Sequence, residues 1–437
     1  MKKTLLILLT LPLFAIAQNA EQYVRDGDAK ARAKDFTGAI KLYDQAIAFD
    51  IRFEDAYYNR ALAKFQLHDY QGAINDYTSS IFLNNKTATV YNNRGVARRN
   101  INDITGAIGD YKEAIGLDST FAEAYNNKGL AEVYLKNYSA AIADYNHAIT
   151  FSNTYIEAYY NRATAEQFAQ DYNYALEDYR HIISLNPKAE NAYLYSGLVK
   201  VKLNDNNGAY IDFSKLIEIN PNVAEAYFNR GLIKADLKDM DGAAADYKQA
   251  ITLNDKYENA YINLGVVIAS TGDFNSSIVN FNKALELNSK NADAYANRAL
   301  VKNYMHDFEG AIVDCNKAIS LNDSLAVAYD SRGYAKNHLK DFKGAITDIK
   351  KAIAINPQNP VAYLNIGNSM ASLNNYPMAI KYYDHAITLN SKYGDAYNNR
   401  GIAKYFIGDK HGACADLNNA HSLGFPDAKL NLAKYCK

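Results

Sequence analysis

Apolar and small residues recur along this chain with a strict period of 34 residues. A tyrosine stands at the same place in twelve consecutive units, with no insertion between them: Tyr23, Tyr57, Tyr91, Tyr125, Tyr159, Tyr193, Tyr227, Tyr261, Tyr295, Tyr329, Tyr363 and Tyr397. A fixed period of this length indicates one small structural unit stacked many times, each burying its apolar face against its neighbours. The 437-residue chain is therefore predicted to be one elongated array of repeats and not several globular domains.

Each unit is numbered so that its tyrosine is position 4, which places the repeats over residues 20–427. Position 8 is always glycine or alanine, and position 20 is alanine in every repeat except one, which has Ser277. Small residues twelve apart let two helices pack closely. Position 16 is always Asp or Asn, which is suited to capping a second helix. Each repeat is predicted to fold as helix, turn, helix.

Small residues at positions 8 and 20, aromatic residues at 4 and 24 and frequent alanine at 27 resemble the tetratricopeptide repeat. The resemblance implies an all-α solenoid of twelve helix–turn–helix units that forms a right-handed superhelix. Tyrosine replaces the usual tryptophan at position 4, and the proline near position 32 survives only as Pro187, Pro221 and Pro357. Residues 428–437 are expected to form a short amphipathic helix that caps the last repeat.

The first seventeen residues have a different composition. Lys2 and Lys3 precede an apolar run from Leu5 to Ala17, which predicts a secretory signal peptide at residues 1–17. The mature protein is then expected in the periplasm or outside the cell. No later run approaches 18 apolar residues, so the chain is not expected to span a membrane.

The charges and motifs argue against several classes of function. Lysine and arginine number 47 against 48 acidic residues, so no basic excess favours a nucleic-acid partner. The sequence has no HExxH, CxxC, glycine-rich phosphate loop or nucleophile elbow, and we predict neither a cofactor nor an enzymatic activity. Cys315 is expected to be a buried thiol, whereas Cys414 and Cys436 are candidates for a disulfide that fixes the C-terminal cap.

A column of basic residues occupies position 7 in eight repeats, and an aspartate follows sixteen residues later in each of them. We interpret this as an ion pair between the two helices of one repeat, and not as a ligand-binding stripe. The pairs are Arg60 with Asp76, Arg94 with Asp110, Lys128 with Asp144, Arg162 with Asp178, Arg230 with Asp246, Arg298 with Asp314, Arg332 with Asp348, and Arg400 with Asp416.

Asparagine fills position 6 in nine of the twelve repeats, although it is a mediocre helix former. In tetratricopeptide repeat proteins, which this chain resembles, the first helices line an inner, concave wall, and position 6 faces into it. A carboxamide both donates and accepts hydrogen bonds, so it matches the backbone of an extended peptide. The alternative is that each amide bonds to the neighbouring repeat and keeps the stack in register. The nine are Asn59, Asn93, Asn127, Asn161, Asn229, Asn263, Asn297, Asn365 and Asn399.

Aromatic residues on the same wall are candidate anchors for a partner, among them Tyr58, Tyr160, Tyr195 and Phe228. The leading hypothesis is a non-catalytic scaffold that binds extended peptide segments or partner proteins along its groove. Assembly into an envelope complex is compatible with that role. The alternative is binding of cell-wall glycan or polysaccharide by the groove aromatics, and a third hypothesis is a hydrolase with a site assembled across repeats.

Overall fold

A computed structural model gives the structure of residues 19–436, so the predicted signal peptide at residues 1–17 lies outside the described residues. The described residues are helical and contain no strand, which confirms the all-α prediction. The chain divides into two compact units, one ending at Ile219 and the other beginning at Asn220. Within residues 19–436 the helices follow one another in twelve pairs, and one further helix comes after the last pair.

The helices of the first unit are α1 (19–32), α2 (Phe36–Phe49), α3 (Glu54–Gln66), α4 (Tyr70–Leu83), α5 (Ala88–Asn100), α6 (Ile104–Leu117), α7 (Ala122–Tyr134), α8 (Tyr138–Phe151), α9 (Ile156–Phe168), α10 (Tyr172–Leu185), α11 (Glu190–Lys202) and α12 (Asn206–Ile219). Those of the second unit are α13 (Ala224–Asp236), α14 (Met240–Leu253), α15 (Glu258–Ser270), α16 (Phe274–Leu287), α17 (Ala292–Tyr304), α18 (Phe308–Leu321), α19 (Ala326–His338), α20 (Phe342–Ile355), α21 (Pro360–Ser372), α22 (Tyr376–Leu389), α23 (Gly394–Phe406), α24 (Lys410–Ser422) and α25 (Ala428–Tyr435). The odd-numbered helices up to α23 are the first helices of their repeats, and the even-numbered ones are the second helices.

The predicted caps at position 16 form in ten repeats, where the side chain accepts a hydrogen bond from the backbone N–H three residues later. The capping residues are Asp35, Asp69, Asp103, Asp205, Asp239, Asp273, Asp307, Asp341, Asn375 and Asp409. In eight of these repeats the donor is a glycine, whose missing Cβ leaves room for the carboxylate. Asn137 and Asp171 make no such bond, and Ala140 and Tyr174 stand at their donor positions.

The turn between the two helices of a repeat uses a left-handed residue at position 15. Glycine takes this place at Gly272 and Gly408, and ten other repeats use a residue with φ between 58° and 66°. A single left-handed residue is a common way to end a helix and reverse the chain. The ten are Lys34, His68, Asn102, Lys136, Gln170, Asn204, Lys238, His306, Lys340 and Asn374.

The core of each repeat forms where the position-24 side chain packs on the small residue at position 8. The Tyr111 ring lies directly over Gly95, for example, and a Cβ added at Gly95 would stand 2.6 Å from that ring. Tyr111 and Ala107 are completely buried. Close approach of the two helices therefore depends on the small-residue columns, as the sequence predicts.

At the C-terminus, helix α25 packs against α23 and α24. Cys414 of α24 and Cys436 form a disulfide with their Cα atoms 5.6 Å apart. The candidate disulfide is thereby confirmed, and Cys315 is a buried free thiol as expected.

Candidate functional site

The predicted ion pairs between positions 7 and 23 are all present. In each of the eight repeats the cation lies 2.5–2.7 Å from a buried aspartate on the second helix. The arginines make two parallel hydrogen bonds, as Arg94 does to Asp110 with Nε and Nη2. Asp212, which has Ser196 at its position 7, pairs with Lys200 at 2.6 Å. These charges are satisfied within the repeat, so the basic column is part of the scaffold.

The same arginines also connect neighbouring repeats. In six of them Nη1 donates to the position-25 side chain of the preceding repeat, as Arg162 does to Asn146 at 2.6 Å. Seven guanidinium groups lie 5.2–5.6 Å from the centroid of the position-4 tyrosine ring in their own repeat. The recurrent tyrosine is half-buried in most repeats, and its ring contributes a cation–π contact as well as packing.

The position-6 asparagines lie on a surface that we call the first-helix face, which positions 2, 5, 6, 9, 12 and 13 form in each repeat. Six of their carboxamides donate to a side chain of the preceding repeat. The bonds are Asn59 to Asp28 (3.2 Å), Asn93 to the Tyr58 hydroxyl (3.2 Å), Asn127 to Asn92 (3.0 Å), Asn161 to Asn126 (2.9 Å), Asn365 to Asp330 (3.2 Å) and Asn399 to Asn368 (3.0 Å). At these six places the geometry matches the register-keeping alternative.

The other three position-6 asparagines belong to consecutive repeats of the second unit. Asn229 and Asn263 each donate one N–H to the carbonyl four residues earlier in their own helix, to Glu225 and Asn259 at 2.8 Å. Asn297 donates to no other described residue. All three are half-buried on the first-helix face. Each keeps a carboxamide oxygen and at least one N–H for another molecule.

The difference between the two groups follows from two neighbouring positions. Each of the six bonded asparagines finds its acceptor at position 5 or position 9 of the preceding repeat. For Asn297 those positions are Ile262 and Val266, and for Asn263 they are Phe228 and Leu232. Aliphatic and phenyl groups accept no hydrogen bond, so these carboxamides have no partner in the stack.

One cavity of the second unit lies on the first-helix face, beside Asn297. It has a volume of about 450 Å³ and lies between α15 and α17. Val266, Leu300 and Tyr304 form its wall, with 43%, 38% and 60% of their surfaces exposed. Phe274 stacks on Tyr304 at a centroid distance of 5.6 Å. An open apolar cavity with one free carboxamide at its edge suits an apolar side chain on a hydrogen-bonded backbone.

The predicted aromatic anchors separate into two kinds. Tyr160 and Tyr195 line one cavity of about 420 Å³ in the first unit, and both rings lie near the buried ring of Tyr179. Tyr58 and Phe228 are half-buried and do not share a cavity with them. The Tyr58 hydroxyl accepts the bond from Asn93, and the Phe228 ring packs 4.8 Å from that of Tyr257. Val266 and Leu300 were missed among the predicted anchors, although apolar residues at position 9 were the available signal.

Three histidines on the second helices contact tyrosine rings in a tilted arrangement. His147, His181 and His385 each lie against the position-4 tyrosine of their own repeat, at centroid distances of 5.0, 4.3 and 5.4 Å. Among residues 19–436 no group of three or more His, Cys, Asp or Glu side chains is placed to hold a metal ion. No helix in that range is long and apolar enough to cross a membrane.

Comparison with solved structures supports the same fold. The APC/C hetero-tetramer Cut9–Hcn1 is 13% identical, with a TM-score of 0.54 and 98% of each chain covered. The C-terminal part of a TPR repeat-containing protein from Cytophaga hutchinsonii is 20% identical over 55% of this chain and 99% of that one, with a TM-score of 0.50. No curated protein sequence matches the chain.

Sequence models of the tetratricopeptide repeat match more than half of the chain. One matches residues 122–155, 224–257, 258–291, 326–359 and 360–393, and a second matches residues 58–120. The five single-repeat matches begin and end where the 34-residue numbering places a repeat. Proteins built from these repeats are generally non-catalytic scaffolds for protein–protein interaction. The chain belongs to the tetratricopeptide repeat family.

Proposed function

We propose that this chain is an exported, non-catalytic scaffold that holds extended peptide segments of partner proteins on its first-helix face. Family membership supports the interaction role, and the apolar run after Lys2 and Lys3 supports export to the periplasm or the cell exterior. Assembly into a larger envelope complex is compatible with both features.

The observation that carries the proposal is the run of Asn229, Asn263 and Asn297. These carboxamides repeat at 34-residue intervals, do not bond to a neighbouring repeat, and end beside the apolar cavity at Val266 and Leu300. An extended peptide offers alternating N–H and C=O groups whatever its sequence, so the run recognises backbone. The cavity then selects for an apolar side chain.

A peptide-selection experiment tests this proposal. Binders are selected from a random peptide library on the mature chain, and their affinities are measured for the wild type and for the triple variant Asn229→Ala, Asn263→Ala, Asn297→Ala. We expect the triple variant to bind about tenfold or more weakly, the equivalent of at least one lost hydrogen bond. N-methylation of the bound peptide's backbone should weaken binding similarly, because it removes the N–H groups.

The matched control is the triple variant Asn93→Ala, Asn127→Ala, Asn161→Ala, whose carboxamides bond within the stack. Its affinity for the selected peptides should equal that of the wild type. The proposal fails if the library yields no binders, or if the first triple variant binds them as tightly as the wild type does.

A second candidate function is glycan binding in the first unit. Its supporting observation is the cavity with the exposed Tyr195 ring, where the amides of Gln167 and Asn191 lie beside Tyr160. An aromatic ring next to amides suits a sugar ring with its hydroxyls. Retention of the wild type, but not of Tyr195→Ala, on purified cell-wall polysaccharide would support this function.

A further inference from the structure

Position 11 of the repeat breaks its own pattern at Glu166. In seven repeats a lysine or arginine at this position lies 2.6–3.1 Å from the position-23 aspartate. These pairs are Lys64 with Asp76, Arg98 with Asp110, Lys200 with Asp212, Lys234 with Asp246, Lys302 with Asp314, Lys336 with Asp348, and Lys404 with Asp416. The fifth repeat has Glu166 beside Asp178 instead. It therefore has one cation fewer and one carboxyl group more.

The Glu166 carboxyl group is buried without an adequate partner. The residue is only 6% exposed, and its Oε2 atom makes no hydrogen bond with any described residue. Oε1 lies 3.9 Å from Nε of Arg162. That guanidinium is already bonded to Asp178 through Nε and Nη2 and to Asn146 through Nη1. A buried polar atom left unpaired destabilises the fold, so a partner that donates a hydrogen bond to this carboxyl group would be favourable.

Glu166 lies in the wall of a cavity of about 370 Å³ between α8 and α10, over α9. Two further carboxylates, those of Asp171 and Glu177, line it. Asp171 is one of the two position-16 residues that do not cap their helix, so its carboxylate is not held by the backbone. Tyr174 stands at the repeat position where eight other repeats have the glycine that donates to the cap. Its side chain lines the same cavity and is 61% exposed.

We propose that this cavity binds an alkylammonium group, which takes the place that the position-11 lysine ammonium occupies in other repeats. The ammonium donates a hydrogen bond to the Glu166 carboxyl group, and the carboxylates of Asp171 and Glu177 line the same cavity. The alkyl stem packs along Tyr174 and Ile142, as lysine stems pack on apolar surface elsewhere. This site is formed by α8, α9 and α10 of the first unit, so it does not depend on peptide binding at Asn229, Asn263 and Asn297.

The ionisation of Glu166 gives the site a measurable signature. Burial, together with the nearby charges of Asp178, Asp171 and Glu177 and against the opposing charge of Arg162, raises the pKa of Glu166 to about 8. An ammonium binds the ionised carboxylate, so binding at neutral pH releases a proton. Affinity should therefore rise with pH, by up to about tenfold per unit, until the carboxyl group is ionised near pH 8.

Titration calorimetry on the full chain tests the proposal with three probes. They are n-butylamine, a capped Gly-Lys-Gly peptide, and the same peptide with uncharged norleucine in place of lysine. We expect at least one charged probe to bind, with proton release and with tighter binding at pH 8 than at pH 6.5, and the norleucine peptide not to bind. Binding of the lysine peptide identifies a partner protein's side chain as the ligand, whereas binding of butylamine alone identifies a small free amine.

Variants at position 11 distinguish specific binding at Glu166 from non-specific attraction of a cation to the acidic side chains nearby. Glu166→Gln keeps the shape but not the charge, so it should weaken binding at least about tenfold and remove the pH dependence. Glu166→Lys supplies the missing cation from within the chain and should abolish binding. Glu132→Gln is the matched control, since Glu132 is the position-11 acid of the fourth repeat and is already bonded to Asn137 at 2.8 Å.

The proposal is overturned if neither charged probe binds, if the norleucine peptide binds as well as the lysine peptide, or if Glu166→Gln binds like the wild type. Circular dichroism of each variant establishes that it is folded before its affinity is compared.

Discussion

The asparagines of position 6 behave differently in two regions of the molecule. In the first unit Asn93, Asn127 and Asn161 bond to the preceding repeat at 2.9–3.2 Å, whereas in the second unit Asn229, Asn263 and Asn297 do not. The residue type and its position on the helix are the same in both runs. What differs is the residue 31 or 35 positions earlier, which is polar for the first run and apolar for the second. A recurring residue therefore takes its role from its neighbours, and one column can hold the stack together in one region and face a partner in another.

The largest expected effect tests whether the two regions are otherwise alike. Asp110→Ala in the first unit and Asp314→Ala in the second each strip a buried carboxylate from two cations, Arg94 and Arg98 or Arg298 and Lys302. Because uncompensated charges remain, we expect each change to lower the free energy of unfolding by about 3 kcal/mol. Denaturant unfolding of the two variants gives this comparison.

Equal losses would show that both units rely on the same ion-pair cluster, and that position 6 differs for local reasons. If the two losses differ by more than about 1 kcal/mol, which exceeds the usual scatter of such measurements, the two units pack differently as a whole. The different bonding of the position-6 asparagines would then be a consequence of that packing.

A smaller effect is expected from the bonded run. Replacing Asn93, Asn127 and Asn161 with alanine removes three bonds between repeats and leaves the buried Asn92 and Asn126 carboxamides without a donor. We expect the free energy of unfolding to fall by about 2 kcal/mol, since each lost bond costs about 1 kcal/mol and alanine's helix propensity returns part of it. Urea unfolding measures this loss, and an unchanged midpoint would mean that the bonds do not keep the register.

The free run should respond in the opposite direction. Replacing Asn229, Asn263 and Asn297 with alanine breaks no bond between repeats and places a better helix former at three sites. We expect the free energy of unfolding to stay the same or to rise by about 1 kcal/mol. A loss of 2 kcal/mol or more, as estimated above for the bonded run, would indicate that these asparagines also hold the stack. The two groups of asparagines would then have the same structural role.

The repeat scaffold could be predicted from the sequence because it depends on residue types that recur at fixed repeat positions. The period, the small residues at positions 8 and 20 and the matched charges at 7 and 23 predict the helix pairs and the eight ion pairs. Even Cys414 and Cys436 were placed as candidates by their positions alone. Each of these inferences uses contacts inside one repeat, or between a helix and the next one, where the spacing is fixed.

The site was harder to predict because it depends on pairs between repeats. The nine asparagines look identical in the sequence, and only the geometry shows that position 6 reaches positions 5 and 9 of the preceding repeat. With that contact known, Ile262 and Val266 identify Asn297 as free. Glu166 was likewise visible as an acid in a mostly basic column. Its burial and its unpaired oxygen come from packing against α8 and α10, which no spacing along the chain records.

The smallest effect on stability is expected for Val266→Asn, which is also the sharpest test of the comparison. The substitution gives Asn297 a polar neighbour of the kind that the bonded asparagines have. Val266 precedes Asn297 by 31 residues, as Asp28 precedes Asn59 and Asn368 precedes Asn399. An asparagine there offers an acceptor to Asn297. Since Val266 is 43% exposed, the free energy of unfolding should change by no more than about 0.5 kcal/mol.

Affinity for the selected peptides should nevertheless fall about tenfold, because the Asn297 carboxamide would be occupied. Val266→Ala shortens the same cavity wall without supplying an acceptor, and its loss should be only about threefold. Adding Asn297→Ala to Val266→Asn separates the two effects. If the carboxamide is already occupied, the second substitution should weaken binding no further, whereas Asn297→Ala alone in the wild type should. Independent, additive losses would mean that Val266 acts only as an apolar wall, and that the state of the carboxamide at position 6 does not decide which region binds.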